Sequence, residues 1–377
     1  MKKLLIVAVV LVLGFFAYKN MDTSSSKTVK SDVIRIGGIM PLTGDTASIG
    51  VPIQNAANLH VDEINEAGGI DGRRMEIIWE DGKCSPGESS RAAQKLINVD
   101  KVSVILGGGC SGETLGAAPI TEKNKVILFT PTSSNPEITH AGDFVFRTSP
   151  SDSSQGKVLA EYANAHFEKV GLISEQTDYA IVLADTFENH FTGEIVREDY
   201  LPSESDFKTR ITKLKNENLD ALFINAQNPP KYEIILKQLQ EQNWATPLLT
   251  NEVAGGNVES TLKYKDFVST LGLVAGNFVA PDNPRLDAFA QKYRERFGEE
   301  PPYLNYMATT VDALDILVKT LGDLGDNATS EAIRDALYAT QNFDGMYENF
   351  AFDENGDSNI THSLFQFDGE KFVLLNE

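Results

Sequence analysis

The sequence predicts an α/β protein built as two doubly wound parallel-sheet lobes, and three observations carry that expectation. Short β-branched runs alternate with segments whose apolar residues recur at helical spacing, the alternation starts over after residue 150, and several strands end in glycine- or hydroxyl-rich tips. The organising stretch is 102–113, where Val102, Val104, Ile105 and Leu106 stop at Gly107-Gly108-Gly109-Cys110-Ser111-Gly112. A buried strand ending in glycines leaves backbone N–H groups free to hold a small anion, with the Ser111 hydroxyl beside them. A second strand, 126–129, ends in Thr130-Pro131-Thr132-Ser133-Ser134, and two neighbouring polar strand ends describe a ligand crevice of the open α/β type.

In chain order, residues 33–39 read as a strand and 41–45 as a loop. Pro52 then sits in the first turn of a helix that continues through Ile53, Ala56, Ala57, Val61 and Ile64 to Gly68-Gly69. Strand 75–79, helix 89–98, strand 102–106, helix 113–124 broken early by Pro119, and strand 126–129 complete a four-stranded first sheet. Residues 144–150 read as a Ser/Pro-rich crossing. The second round is helix 157–166, strand 170–174, helix 179–190, strand 194–199, helix 206–215 and strand 221–224, ending at Asn225-Ala226-Gln227-Asn228. Helix 232–242 and strand 248–250, ending at Asn251-Glu252, follow. Helices 285–297, 303–321 and 330–340 have no strands of their own and return to cover the first lobe, with short hairpin-like strands near 350–352 and 364–367. The domain reading is therefore 1–31 for a leader and tether, 32–149 for lobe one, 150–280 for lobe two, 281–362 for the return to lobe one, and 363–377 for a C-terminal strand or hairpin on lobe two. Two lobes joined by several strands form a cleft that opens and closes on a hinge.

The 377 residues carry a formal charge of −21, although the first thirty hold five lysines against one aspartate. So acidic a body excludes nucleic acid or an anionic membrane face as the main partner. Lys2-Lys3 followed by the apolar run 4–18 is the pattern of an export signal. As a helix that run spans about 22 Å, short of a ~30 Å hydrocarbon core, so it reads as a signal peptide or a short uncleaved anchor. Residues 20–31, with three consecutive serines, read as a flexible tether. In an exported chain Cys84 and Cys110 point to one disulfide, stabilising by roughly 3 kcal/mol through loop entropy, with two separate buried thiols as the alternative.

Six segments carry a family resemblance: Ile36-Gly37-Gly38-Ile39-Met40-Pro41-Leu42-Thr43-Gly44, Ile64-Asn65-Glu66-Ala67-Gly68-Gly69-Ile70-Asp71-Gly72, Asp81-Gly82-Lys83-Cys84-Ser85-Pro86, Gly109-Cys110-Ser111, Thr130-Pro131-Thr132-Ser133-Ser134-Asn135-Pro136-Glu137 and Phe146-Arg147-Thr148. In this number and order they resemble the type I periplasmic binding proteins, and within them the leucine/isoleucine/valine-binding group of ABC transporters. The resemblance implies a monomeric protein that holds a small zwitterion, an aliphatic or branched-chain amino acid, in an interlobe cleft and delivers it to an ABC permease, with no cofactor. It places the family disulfide on Cys84 and Cys110, the carboxylate-holding hydroxyls on Ser111 and Ser134, and the main-chain carbonyl for the ligand ammonium on Thr132, with Cys110 and Gln227 also counted among the ligand-binding positions. It puts an aromatic lid on Tyr179, the ammonium-pairing acid on Glu252 and the side-chain pocket near Tyr306. Two positions depart: Ser48-Ile49-Gly50 stand where an aromatic is usual, and Gln227 where a tyrosine is.

Competing chemistry in the same stretch is weak. Gly107–Gly112 matches a dinucleotide-binding glycine pattern, but Phe129-Thr130-Pro131 occupy the place of the required acid. Cys110 matches a nucleophile turn, yet none of the five histidines has a catalytic context, and a disulfide would consume the thiol. Asp353-Glu354-Asn355-Gly356-Asp357 places its glycine fourth, where a calcium loop needs it sixth. The expectation is a binding protein without enzymatic activity, metal or cofactor, with a membrane-tethered sensing module of the same fold as the alternative.

Overall fold

Helices alternate with strands from the first described residue onward. The computed structural model describes residues 33–278, 283–346 and 349–375, so the leader and tether expected over 1–31 lie outside the described residues. The first lobe contains β1 (Val33–Met40), α1 (Ala47–Glu66), β2 (Arg74–Asp81), α2 (Pro86–Asn98), β3 (Val104–Gly107), α3 (Ser111–Asn124), β4 (Ile127–Thr130) and β5 (Val145–Arg147). The strand order is β2-β1-β3-β4-β5, and the pairs β1–β3, β3–β4 and β4–β5 are parallel. β3, β4 and β5 are buried along their whole length, as expected for parallel strands covered on both faces.

The second lobe follows with α4 (Asp152–His166), β6 (Lys169–Glu175), α5 (Asp178–His190), β7 (Glu194–Tyr200), α6 (Lys208–Lys215), β8 (Ala221–Asn225), α7 (Pro229–Glu241) and β9 (Leu248–Thr250). The short helices α8 (Glu252–Gly256), α9 (Val258–Leu262) and α10 (Lys265–Val268) then lead to β10 (Leu273–Asn277). Next come α11 (Pro284–Phe297), α12 (Leu304–Leu324), α13 (Ser330–Tyr338) and the pair β11 (Phe343–Asp344) and β12 (Asn349–Phe350). The chain ends in β13 (Ser363–Phe367) and β14 (Phe372–Leu374), which extend the second sheet antiparallel to give the order β14-β13-β10-β9-β8-β6-β7. Helices α11 and α12 lie against α1, where Ala56 is buried in one cluster with Phe289, Tyr293, Met307 and Val311.

The structure corrects several sequence expectations. Helix α1 starts at Ala47, so Pro52 stands inside it and not in its first turn. Helix α3 runs through Pro119 unbroken. Ser90 Oγ of α2 lies 2.6 Å from Gly116 O in the turn before this proline. The supposed crossing 144–150 contains β5, a fifth strand of the first sheet. β10 was not anticipated, because its glycine interrupts the β-branched pattern; a Cβ on Gly276 would sit 2.9 Å from Gln155 Cγ, so the glycine lets α4 seat on the strand. The stretches near 350–352 and 364–367 do not form a hairpin together, since β12 pairs with β11 and β13 with β10 and β14.

Candidate ligand-binding site

The polar tip of β4 in the first lobe reaches Glu252, the first residue of α8 after β9 in the second, through Ser134, Asp152 and Gln155. On the first side a single acid shapes the turn: Glu113 accepts the N–H groups of Cys84 (2.8 Å), Gly109 (2.8 Å) and Cys110 (3.1 Å). Burial pushes its carboxyl up to about 7 against the pull of those three bonds. Cys110 is the extended N-cap of α3 and is joined to Cys84 in a disulfide with 5.3 Å between Cα atoms, so it offers no free thiol. The β4 tip is tied to the same turn, as Thr130 and Ser133 hydroxyls each donate to Gly108 O at 2.9 Å and Thr132 Oγ1 donates to Gly109 O at 2.8 Å.

The two serines expected to hold a carboxylate are placed differently. Ser111 Oγ accepts the Asn135 N–H at 3.3 Å, which leaves its own proton for a ligand. Ser134 is committed: its hydroxyl donates to Asp152 Oδ2 at 2.8 Å. In this arrangement its single proton is directed at Asp152.

Glu252 is fully buried, and each of its oxygens has a partner. Tyr306 donates to Oε1 at 3.0 Å, and His362 Nε2 lies 2.6 Å from Oε2. The Glu252 N–H donates to Gln155 Oε1 (3.0 Å), and Gln155 Nε2 donates to Asp152 Oδ1 (2.8 Å). His362 Nδ1 rests 2.7 Å from Ser154 Oγ. Asp152 is also fully buried; burial, then the nearby Glu252 charge, raises its carboxyl well above the ordinary range, against the Ser134, Arg147 and Gln155 contacts. Tyr179 is buried beside both acids, and burial foremost, then Asp152 and Glu252, keeps its phenol protonated; its hydroxyl has no partner in hydrogen-bonding geometry. Gln227 joins a different knot, its N–H donating to Glu175 Oε2 at 2.9 Å next to the Asn228 N–H.

Asp152, Gln155 and His362 were not among the expected site residues. Asp152 and Gln155 occupy the first turn of α4, which was expected to begin only at residue 157, and His362 gave no signal beyond being one of five histidines. Among the described residues, Asp152, Glu252 and His362 form the one group spaced closely enough to hold a metal, with ligand atoms within 4.8 Å of one another. Their atoms are already engaged by Ser134, Gln155, Tyr306 and each other, so hydrogen bonding accounts for the arrangement.

Contacts between the lobes surround this cluster. Asn135 Nδ2 donates to Asp178 O at 2.6 Å, and Lys231 Nζ lies 3.7 Å from Asp45. A Cβ on Gly112 would meet Asp178 Oδ2 at 2.3 Å, so α3 and α5 approach through that glycine.

Two α/β lobes whose polar strand tips close on each other define an interlobe solute-binding protein of the type I periplasmic architecture. The chain belongs to the periplasmic binding protein family, whose profile matches residues 33–370. It is 28% identical over 346 residues to Leu/Ile/Val-binding protein homolog 1 of Brucella suis, covering 88% of each chain. It is 26% identical over 362 residues to the leucine-, isoleucine-, valine-, threonine- and alanine-binding protein of Pseudomonas aeruginosa, covering 93% of this chain and 94% of that one. Among solved structures it is similar to the branched-chain amino acid transporter substrate-binding protein LivJ of Streptococcus pneumoniae in complex with isoleucine, with TM-score 0.80, 26% identity, and 92% and 100% of the two chains covered.

Proposed function

We propose that this protein captures an amino acid with an aliphatic side chain in the interlobe cleft and delivers it to an ABC permease, with no covalent step. The observation that carries the reading is the pairing of Glu252, fully buried after a second-lobe strand tip, with the available Ser111 hydroxyl at the start of α3 in the first lobe, both joined to the loop of Ser134 and Asn135. A zwitterion needs donors at its carboxylate and an acid at its ammonium, and these lie on opposite lobes. The ligand therefore favours the closed arrangement, because it touches both lobes only there. Tyr179 and Tyr306 stand near Glu252, and the relatives above are named for leucine, isoleucine and valine. The acidic body and the Lys2-Lys3 leader accord with export, where a membrane permease would receive the cargo.

A thermal-shift screen of the full-length protein against amino acids, small amides, ureas and short peptides tests this. Leucine, isoleucine or valine at a hundred times Kd should add about 2.7 kcal/mol of apparent stability. A screen in which only non-amine solutes raise the melting temperature would refute the amino-acid assignment.

A further inference from the structure

We propose that His362 is a positioning residue for Glu252: its ring fixes the carboxylate in the orientation that receives a ligand ammonium, so that affinity for an amino acid depends on the imidazole as well as on the acid. The inference rests on the reading that the ligand carries an ammonium, and it names what aims the group that receives it.

A glutamate side chain has several rotatable bonds, and a carboxylate left to itself samples many orientations. Glu252 is held at its amide and at both carboxylate oxygens. Its N–H donates to Gln155 Oε1 at 3.0 Å, Tyr306 donates to Oε1 at 3.0 Å, and His362 Nε2 lies 2.6 Å from Oε2. To meet a carboxylate oxygen the ring nitrogen must donate. A carboxylate oxygen has a second lone pair, so both oxygens keep a place for a ligand, in a direction that the two donors set.

The imidazole is itself fixed. Ser154 Oγ lies 2.7 Å from Nδ1 and accepts the His362 N–H at 3.3 Å. Gln155 Nε2, which donates to Asp152, stands 3.2 Å from His362 Nε2, and Phe278 meets the ring edge-on at 5.6 Å between centroids. The residue is 4% exposed. In the chain it stands between Asp357, tied to Arg147 of the first sheet, and Ser363, paired with Asn277 of the second. A side chain packed in this way passes its order to the acid it holds, and little further freedom is lost when a ligand arrives. The buried carboxylates of Asp152 and Glu252 attract an ammonium to this corner in any case, since the nearby Arg147 is committed to Asp357. The imidazole decides the direction from which Glu252 meets it.

Calorimetric titration of the full-length protein and its variants, each with a melting curve, tests this with leucine or, if another amino acid binds wild type more tightly, with that one. His362→Leu keeps bulk and removes the donor, and should weaken binding about tenfold; His362→Gln keeps a donor and should recover most of that loss. The readout that a merely structural role would not move is the cycle with Glu252→Gln. In that background His362→Leu should cost less than about twofold, because no charged acid is left to aim. Should His362→Leu fail to fold, Ser154→Ala, which frees the ring from behind, carries the same comparison with an expected loss of about threefold. Undiminished affinity in the variant that folds, or an equal loss with and without the Glu252 charge, would overturn the proposal and leave the amino-acid reading standing. Failure of every amino acid to bind wild type would overturn both.

Discussion

Arg147 and Asp357, 210 residues apart, meet in a two-point pair: Arg147 Nε donates to Oδ1 at 3.0 Å and Nη2 to Oδ2 at 2.6 Å. The same guanidinium donates through Nη1 to Asn135 O at 2.9 Å. It thus fastens the end of β5 both to the turn that precedes β13 and to the loop carrying Ser134. Removing one partner leaves a buried charge uncompensated, so Arg147→Ala should cost about 3 kcal/mol or more in urea denaturation. Arg147→Lys keeps the charge but loses the fork, and should recover only part of that. A loss under about 1 kcal/mol for Arg147→Ala would mean the pair does not join these segments.

The Cys84–Cys110 disulfide closes a separation of 26 residues around the turn that Glu113 pins. Its reduction should lower stability by about 3 kcal/mol and weaken ligand binding, because Ser111 follows directly in the chain. Melting curves with and without reductant measure the first effect. A thiol titration of the unreduced protein should find no reactive cysteine.

Ser111 and Ser134 should respond differently to truncation. Ser111→Ala removes an available donor, so affinity for the ligand carboxylate should fall roughly tenfold with little change in stability. Ser134→Ala strips Asp152 of a donor, so the melting temperature should fall as well. Equal affinities for Ser111→Ala and wild type in calorimetry would remove Ser111 from the site.

Asp312 is buried and accepts the Met346 N–H at 2.6 Å, and burial pushes its carboxyl up to about 7. The folded chain holds this proton more tightly than the unfolded chain does. The associated stability is therefore present below the ordinary aspartate range and is lost as pH rises toward 7. Asp312→Asn keeps an acceptor for Met346 and removes the titration. The variant should melt higher than wild type at pH 8, with the gap closing toward pH 4. Glu113, also raised to about 7, contributes in the same direction, so the variant retains part of the slope.

Much of the fold was legible because the parallel strands are short β-branched runs ending in punctuated tips, as 248–250 and 221–224 show against β9 and β8. β5 and β10 were missed where the local pattern is poor: β5 has only three residues, and β10 contains a glycine chosen for contact with α4. At the site, Ser111 and Glu252 were visible because they stand at strand tips. Tyr306, 54 residues from Glu252, was expected near the pocket but not as a donor to that acid, and His362, 110 residues away, was hidden because only the fold brings it to Glu252. Gln227, expected where a tyrosine is usual, has its backbone N–H held by Glu175.

The most direct test of the account is a calorimetric titration of leucine, isoleucine and valine into wild type and Glu252→Gln side by side, with melting curves to establish that both are folded. Loss of the acid's charge should weaken the amino acid that binds wild type by more than tenfold, on the order of 1.5–3 kcal/mol for a charge-assisted bond. Equal affinity in the two proteins would contradict the assignment of Glu252 to the ligand's ammonium and with it the zwitterion-binding role.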